Sequence, residues 1–72
     1  MMSRYDWASF PKEVCFAATD SNGNVFGYDI APKYFEFGKW MPENEFLIFL
    51  YRTEPSQHCD QSLEVRPVEL SQ

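Results

Sequence analysis

The most reactive side chains in this 72-residue chain are two cysteines and one histidine, and His58, Cys59 and Asp60 are consecutive. Neighbouring residues of an extended chain point to opposite sides, so this run forms no catalytic triad by its spacing. A Cys–His pair using Cys15 would need the segment around His58 to fold over the first predicted strand. Two cysteines and one histidine without a Cys-x-x-Cys pair also fall short of a structural zinc set. The sequence therefore predicts no metal site, no cofactor and no enzyme activity.

The run Asp20–Asn24 superficially resembles a calcium-binding loop. An EF-hand places its glycine at the sixth position and a bidentate Glu at the twelfth. Here the glycine is the fourth residue of the run, and Ala31 stands at the twelfth position. We therefore interpret Asp20, Asn22 and Gly23 as residues of a structural turn.

The chain carries a formal charge of −5, from eleven acidic and six basic residues. The basic residues occur singly, whereas nucleic-acid binders cluster them to neutralise phosphates. Direct binding to DNA or RNA, and docking on an anionic membrane, are therefore disfavoured. An acidic surface suits a basic protein partner, or it only keeps the domain soluble. Glu43 and Glu45, in a predicted solvated turn, are the candidate acidic contacts.

The length predicts one domain over residues 1–72, with residues 1–4 and 69–72 frayed. A chain this short buries only about 60% of the surface that it exposes when unfolded. Aromatic residues make up 18% of the sequence and supply large side chains for its core. No apolar leader and no run of transmembrane length are visible, so we expect a cytoplasmic protein with two free thiols.

Two short apolar runs, Val14–Thr19 and Val25–Ile30, flank Asn22 and Gly23 and predict a β-hairpin. Their period-two alternation is typical of a sheet with one buried face. Gly27 lies inside the second run, which indicates either a bulge or a neighbour packed closely over the backbone.

The segments around the hairpin give weaker signals. Tyr5–Pro11 predicts a short helical turn or folded-back arm with Asp6 as its N-cap. Trp7 and Phe10 are three residues apart, so they would share a face and lie against the sheet as an aromatic lid.

Two later segments leave alternatives open. Tyr34–Met41 is strand-like but is interrupted by Gly38, which could instead hold a tight turn. Leu63–Arg66 alternates and could form a last short strand, or Ser62 could cap a single helical turn.

Phe46–Tyr51 is the most apolar run and is rich in strand-forming residues. Because both of its faces are apolar, it is either a central strand covered on both sides or a strand covered on one side by another molecule. The candidate surface for a partner or for self-association comprises Phe46, Ile48, Phe49, Tyr51, Glu43 and Glu45. The fold class predicted is mainly β, or α+β at most, with one antiparallel sheet of about three to five strands and the short arm before it.

The order of these features resembles a group of small proteins encoded by tailed phages and prophages. The matching residues are Asp6, Trp7, Phe10, Pro11, the run Ala17–Asp20, Gly23, Tyr28, Pro32, Gly38, Trp40 and the run Ser62–Pro67. This chain differs in having His58 and Cys59 where such proteins often carry Asp-Trp, and Val65 where a second Glu is typical. The resemblance implies a virus-encoded accessory protein in the cytoplasm of a bacterial host, without a defined activity.

Three functions remain open from the sequence. The first is binding to a host protein, with inhibition of a defence or nucleic-acid-processing protein of the anti-CRISPR or anti-restriction type. The second is a self-associating structural or assembly protein, for example a homodimer formed through Phe46–Tyr51. The third is a metal- or ligand-binding domain.

Overall fold

A computed structural model describes residues 4–55 and 57–67. The strands are β1 (Phe16–Thr19), β2 (Asn24–Tyr28), β3 (Lys33–Phe35), β4 (Lys39–Met41), β5 (Ile48–Arg52) and β6 (Glu64–Val65), with short 3-10 turns at Trp7–Ser9 and Cys59–Gln61. Antiparallel pairing in the order β5-β2-β1-β6 forms a four-stranded sheet, and β3 and β4 form a separate two-stranded sheet. The mainly β, antiparallel class is confirmed, but the strands divide between two sheets.

The central hairpin is confirmed, and its register runs from Phe16 opposite Tyr28 to Thr19 opposite Val25. In its turn the Gly23 N–H donates to Asp20 O at 2.9 Å. Within this turn Gly23 has a φ of +94°, in the left-handed region that favours glycine.

The side chains of the turn reach different targets. The Asn22 Oδ1 accepts from the Asn24 N–H at 3.0 Å, which closes the turn locally. The Asp20 carboxylate is buried and accepts the Trp40 N–H of β4 at 2.8 Å. Asp20 therefore ties the second sheet to the first.

Both faces of the four-stranded sheet are covered, whereas the alternation had predicted one buried face. The adjacent residues Ala17 and Ala18 are both fully buried. Ala17 belongs to a core cluster with Trp7, and Ala18 belongs to a second cluster with Trp40. The small side chains of β1 let a covering layer approach from each side at interior packing density.

The close neighbour expected over Gly27 is Val14, whose two methyl groups would lie 2.7 and 2.8 Å from a Cβ at that position. The register between β2 and β5 also shifts after Val25, which pairs with Tyr51. Leu50, the extra residue, lies 3.3 Å from the same Cβ position. A neighbour therefore packs closely over Gly27, and the bulge lies beside it in β5 instead of at Gly27 itself.

The aromatic arm, residues 5–11, folds back onto the sheet as predicted. Trp7 and Phe10 lie edge to face with ring centroids 5.3 Å apart. Asp6 occupies the N-cap position, but the prediction that its side chain caps the turn is wrong. Its carbonyl oxygen instead accepts the Ser9 N–H at 3.0 Å and the Ser9 hydroxyl at 2.8 Å.

Arg66 fixes the aromatic arm from the other end of the described chain. Its Nε donates to Val14 O at 2.7 Å and its Nη2 donates to Pro11 O at 2.6 Å. The guanidinium carbon lies 5.3 Å from the centroid of the Trp7 ring, within cation–π distance.

A buried polar network joins the arm, β1 and the turn before β6. The Tyr5 hydroxyl donates to Ser62 O at 2.8 Å and lies 2.8 Å from Thr19 Oγ1. Because the Tyr5 hydroxyl has one hydrogen and donates it to Ser62 O, Thr19 is the donor in the second bond. The Ser62 hydroxyl accepts the Thr19 N–H at 2.8 Å and lies 2.6 Å from Cys59 O. Ser62 follows the 3-10 turn Cys59–Gln61 and precedes β6. Of the two alternatives for residues 62–66, the short strand is therefore correct, over Glu64–Val65.

β3 and β4 are joined at Gly38, which has φ of +76° and donates its N–H to Phe35 O at 3.1 Å. Of the two readings of Tyr34–Met41, the tight turn is therefore correct. The Ser21 N–H donates to Gly38 O at 2.7 Å, so this hairpin is fastened to the β1–β2 turn.

β5 lies at one edge of the four-stranded sheet and pairs with β2. The interpretation of Phe46–Tyr51 as a central strand is therefore wrong, because β1 and β2 occupy the centre. Its strand character is confirmed over Ile48–Arg52.

Of the predicted frayed ends, residues 1–3 and 69–72 lie outside the described residues. Arg4 is described, and its side chain lies 3.8 Å from the Glu64 carboxylate. Within residues 4–55 and 57–67, no helix has the length and apolar character needed to cross a membrane.

Candidate interaction site at the β5 edge

The two cysteines lie in different surroundings, and neither belongs to a cluster of metal ligands among the described residues. Cys59 is buried, its Sγ lies 3.6 Å from the Tyr34 hydroxyl, and its carbonyl accepts Trp40 Nε1–H at 3.0 Å. The hydrogen bond to Cys59, helped by desolvation, raises the pKa of Tyr34 to about 12. Cys15 is exposed, and both thiols are free. Among the described residues no group of three or more metal-ligating side chains comes together.

The apolar candidates divide between the two faces of the sheet. Ile48 and Tyr51 pack with the cluster beneath the aromatic arm. Phe49 points to the opposite face, where its ring lies edge to face with Phe26 at a centroid distance of 5.7 Å. Phe49 keeps 56% of its surface exposed, whereas the other apolar side chains of β5 are half-buried, and so it remains available to a partner.

The remaining candidates lie away from the strand. Phe46 packs partly against the core, and its N–H donates to Asn44 Oδ1 at 3.0 Å. Glu43 lies 3.7 Å from Lys33 Nζ, so it belongs with the β3–β4 hairpin, and Glu45 is exposed before β5. The predicted surface therefore separates into the β5 edge and an acidic turn.

An open groove of about 620 Å³ runs between the aromatic arm and β5. Its lining residues are Arg4, Asp6, Ser9, Phe10, Pro11, Ile48, Phe49, Leu50 and Tyr51. The β5 side is apolar apart from the Tyr51 hydroxyl, and Arg4, Asp6 and Ser9 contribute charged and hydroxyl side chains from the other side. The bulge contributes to this geometry because Ile48, Leu50 and Tyr51 all pack toward the arm.

Sequence reasoning found three lining residues of the groove, Ile48, Phe49 and Tyr51, and missed the arm residues as a second wall. The Trp7–Phe10 spacing predicts that the arm lies on the sheet. It carries no information on which strand the arm lies beside, because the strand order depends on long-range pairing.

Tyr51 brings a hydroxyl to the groove. Partial burial raises its pKa, the charge of Arg4 offsets part of that effect, and Asp6 and Glu64 add to it. The phenol therefore stays protonated at neutral pH and can donate a hydrogen bond in the groove.

An edge strand presents backbone N–H and C=O groups that can pair with another chain. Among the described residues no further strand pairs with β5 on its outer side. The exposed Phe49, the outer backbone of β5 and the groove thus lie together along one edge of the molecule.

No family model, curated protein or solved structure matches this chain.

Proposed function

We propose that this protein acts by binding another protein, and that an extended segment of that partner adds as a strand to the outer edge of β5. The observation that carries the proposal is the coincidence of an edge strand, a groove of about 620 Å³ beside it and an exposed Phe49. Strand addition uses backbone hydrogen bonds for affinity and side-chain pockets for selectivity.

The surroundings of β5 support a partner segment of a particular chemistry. Successive side chains of an added strand point to opposite faces of the sheet. One set would enter the groove beside Phe10, Leu50 and Tyr51, and the other would contact Phe49. Both environments are largely apolar, so the segment is extended and carries apolar residues at consecutive positions.

The resemblance to phage-encoded proteins supports a protein of the bacterial host as the partner. Blocking a strand-forming segment of a defence or nucleic-acid-processing protein would inhibit that protein without any chemistry by this chain. Such a function requires no cofactor.

The test compares wild-type protein with a Phe49→Asp variant as bait in a bacterial lysate, at low and at moderate salt. We expect one partner in stoichiometric amount with the wild type and its loss with the variant. Amide hydrogen exchange of residues 48–52 should slow in the isolated complex, since an added strand protects the outer edge. Phe49→Asp should remain folded and cost about 1 kcal/mol, because its main loss is the ring contact with Phe26.

Val65→Asp is the matched control, because Val65 is 63% exposed on the opposite edge strand, β6. It should retain the partner. A partner that binds Phe49→Asp as well as wild type, or a complex without slower exchange in β5, would contradict the proposal. Recovery of only a second copy of this chain through β5 would assign the edge to self-association instead.

A further inference from the structure

The turn between β1 and β2 contains an Asn-Gly pair, Asn22 and Gly23, whose two residues can react with each other. The side-chain amide of an asparagine is a weak electrophile, and the backbone nitrogen of the following residue is the nearest nucleophile. Glycine at that following position has no side chain to obstruct the attack. Of the three asparagines in the chain, only Asn22 precedes a glycine.

The structure exposes one reactant of this pair and withholds the other. The Asn22 side chain is exposed, and its Oδ1 accepts the Asn24 N–H at 3.0 Å. Gly23 is buried, and its N–H donates to Asp20 O at 2.9 Å. The nitrogen must lose its proton to a base before it attacks, and a buried, hydrogen-bonded N–H exchanges its proton only when the structure opens. The amide carbon is therefore available, whereas its nucleophile is not.

We propose that Asn22 is a site of spontaneous deamidation, and that the folded turn keeps the reaction slow. The reaction begins when the turn opens and hydroxide removes the Gly23 N–H proton. The nitrogen then forms a bond to Cγ of Asn22, the bond from Cγ to Nδ2 breaks, and Nδ2 takes up a proton from water and leaves as ammonia. Water opens the resulting succinimide ring on one side or the other, which gives aspartate or isoaspartate at position 22.

The isoaspartate product does not fit the native turn. Its main chain runs through Cβ and Cγ, which adds an atom to the backbone directly before Gly23. The native Gly23 is held on both sides, because its N–H donates to Asp20 O and its carbonyl accepts the Thr53 N–H at 2.8 Å. A lengthened backbone cannot keep both bonds in place. Loss of the bond to Thr53 releases the end of β5 from the turn.

Modification at Asn22 would therefore record that a chain has been open. A core of this size leaves an unfolded fraction on the order of 10⁻² to 10⁻⁴, and a reaction confined to unfolded chains is slowed by the same factor. Opening of the turn alone is less costly than unfolding of the whole domain, so it sets the smaller slowing that a measurement has to detect. Because ammonia is lost, a chain that has reacted does not return to the original turn.

The first test compares the rate of deamidation in folded and unfolded protein at pH 8. Wild-type protein is incubated in buffer and in urea, and the tryptic peptide 13–33 is then analysed by mass spectrometry with fragmentation. We expect Asn22 to react at least about tenfold more slowly in buffer than in urea, because opening must precede the reaction.

Three controls separate the effect of the fold from other causes. A blocked peptide of residues 19–26 is too short to form a stable hairpin, so it should react at the same rate with and without urea. In the unfolded protein Asn24 should react far more slowly than Asn22, because the branched Val25 follows it. The Asn22→Ala protein should show no deamidation at position 22.

The second test measures the effect of the product on the fold. Protein aged in urea is refolded, and chromatography separates its isoaspartate form from its aspartate form. The isoaspartate form should melt at a lower temperature than Asn22→Asp, although both carry the same added charge. An aspartate in a normal main chain still accepts the Asn24 N–H, whereas the lengthened chain loses the bond to Thr53. Amide exchange of Thr53 should accordingly be faster in the isoaspartate form.

Three results would overturn the proposal. The first is deamidation of the folded protein as fast as that of the peptide 19–26, and the second is reaction at Asn24 in preference to Asn22. The third is an isoaspartate form that melts with Asn22→Asp and keeps the native exchange rate at Thr53. All of these measurements use the isolated chain, so their outcome does not depend on the partner proposed for β5.

Discussion

At the scale of single residues, Tyr5 and Tyr28 are both buried, but only the Tyr5 hydroxyl has hydrogen-bond partners among the described residues. The Tyr5 hydroxyl bonds to Ser62 O and to Thr19 Oγ1, both at 2.8 Å. The Tyr28 hydroxyl is buried without a hydrogen-bond partner among the described residues. A buried polar group without a partner costs free energy, whereas a satisfied one contributes modestly.

Removing each hydroxyl should therefore have different effects on stability. Tyr5→Phe should lower the free energy of unfolding by about 1–3 kcal/mol, because it leaves a buried carbonyl without its donor. Tyr28→Phe should be neutral or stabilise by up to about 1 kcal/mol. Urea unfolding of both variants at pH 7 gives the comparison. An equal loss in the two proteins would mean that an ordered water satisfies Tyr28.

The Tyr5 network could not be predicted from the sequence. Tyr5 and Ser62 are 57 positions apart, and neither residue type signals a partner at that distance. By contrast, the turn function of Gly23 could be predicted, because a glycine next to Asn between two alternating runs is a local signal.

At the scale of elements, the β1–β2 hairpin also anchors the end of β5. The Thr53 N–H donates to Gly23 O at 2.8 Å. A Cβ at position 23 would clash with Thr53 O, in addition to the strain of a left-handed residue. The turn therefore allows no side chain at this position without moving the strand beside it.

Gly23→Val should unfold the domain rather than disable one surface. A core of this size contributes about 3–5 kcal/mol of net stability, and a backbone clash with positive φ removes most of it. Asn22→Ala, which loses only an exposed hydrogen bond, should remain folded. Circular dichroism and thermal melts distinguish the two variants. A folded Gly23→Val protein that had lost only binding would show that the hairpin is part of the site.

Local signals were sufficient for the hairpin and the aromatic arm, whereas they left residues 62–66 open between a short strand and a helical turn. They were insufficient for the position of β5, because a run with two apolar faces fits a central strand and a partner-covered edge equally well. The same limit applies to the second sheet. Gly38 indicated a turn, but nothing near it in the sequence indicated that Trp40 would cover the opposite face of β1 and β2.

At the scale of the whole molecule, the buried tyrosines make stability sensitive to alkaline pH. Burial raises the pKa of Tyr5 and of Tyr28 above the ordinary value of 10.0. The folded protein therefore keeps protons that the unfolded chain releases above about pH 10. This contribution is fully present below pH 10 and is lost as the pH rises toward the folded-state pKa values.

We expect the free energy of unfolding to fall above pH 10 by up to about 1.4 kcal/mol per pH unit for each buried tyrosine. Urea unfolding followed by tryptophan fluorescence at pH 8, 10 and 11 measures the decline. Tyr28→Phe should show a shallower decline than the wild type. An unchanged slope in that variant would mean that Tyr28 ionises in the folded protein as easily as in the unfolded chain.

The bonds of Arg66 to the aromatic arm also set the order of events during synthesis. Arg66, which binds Pro11 O, Val14 O and the Trp7 ring, is synthesised more than fifty residues after the arm. Translation proceeds at about 5–20 residues per second, so several seconds pass between the synthesis of Trp7 and Phe10 and that of Arg66. A nascent chain stalled or cut before Arg66 would present these aromatic rings to chaperones and proteases. Recognition of an incomplete chain would therefore depend on whether synthesis has passed β6 and Arg66.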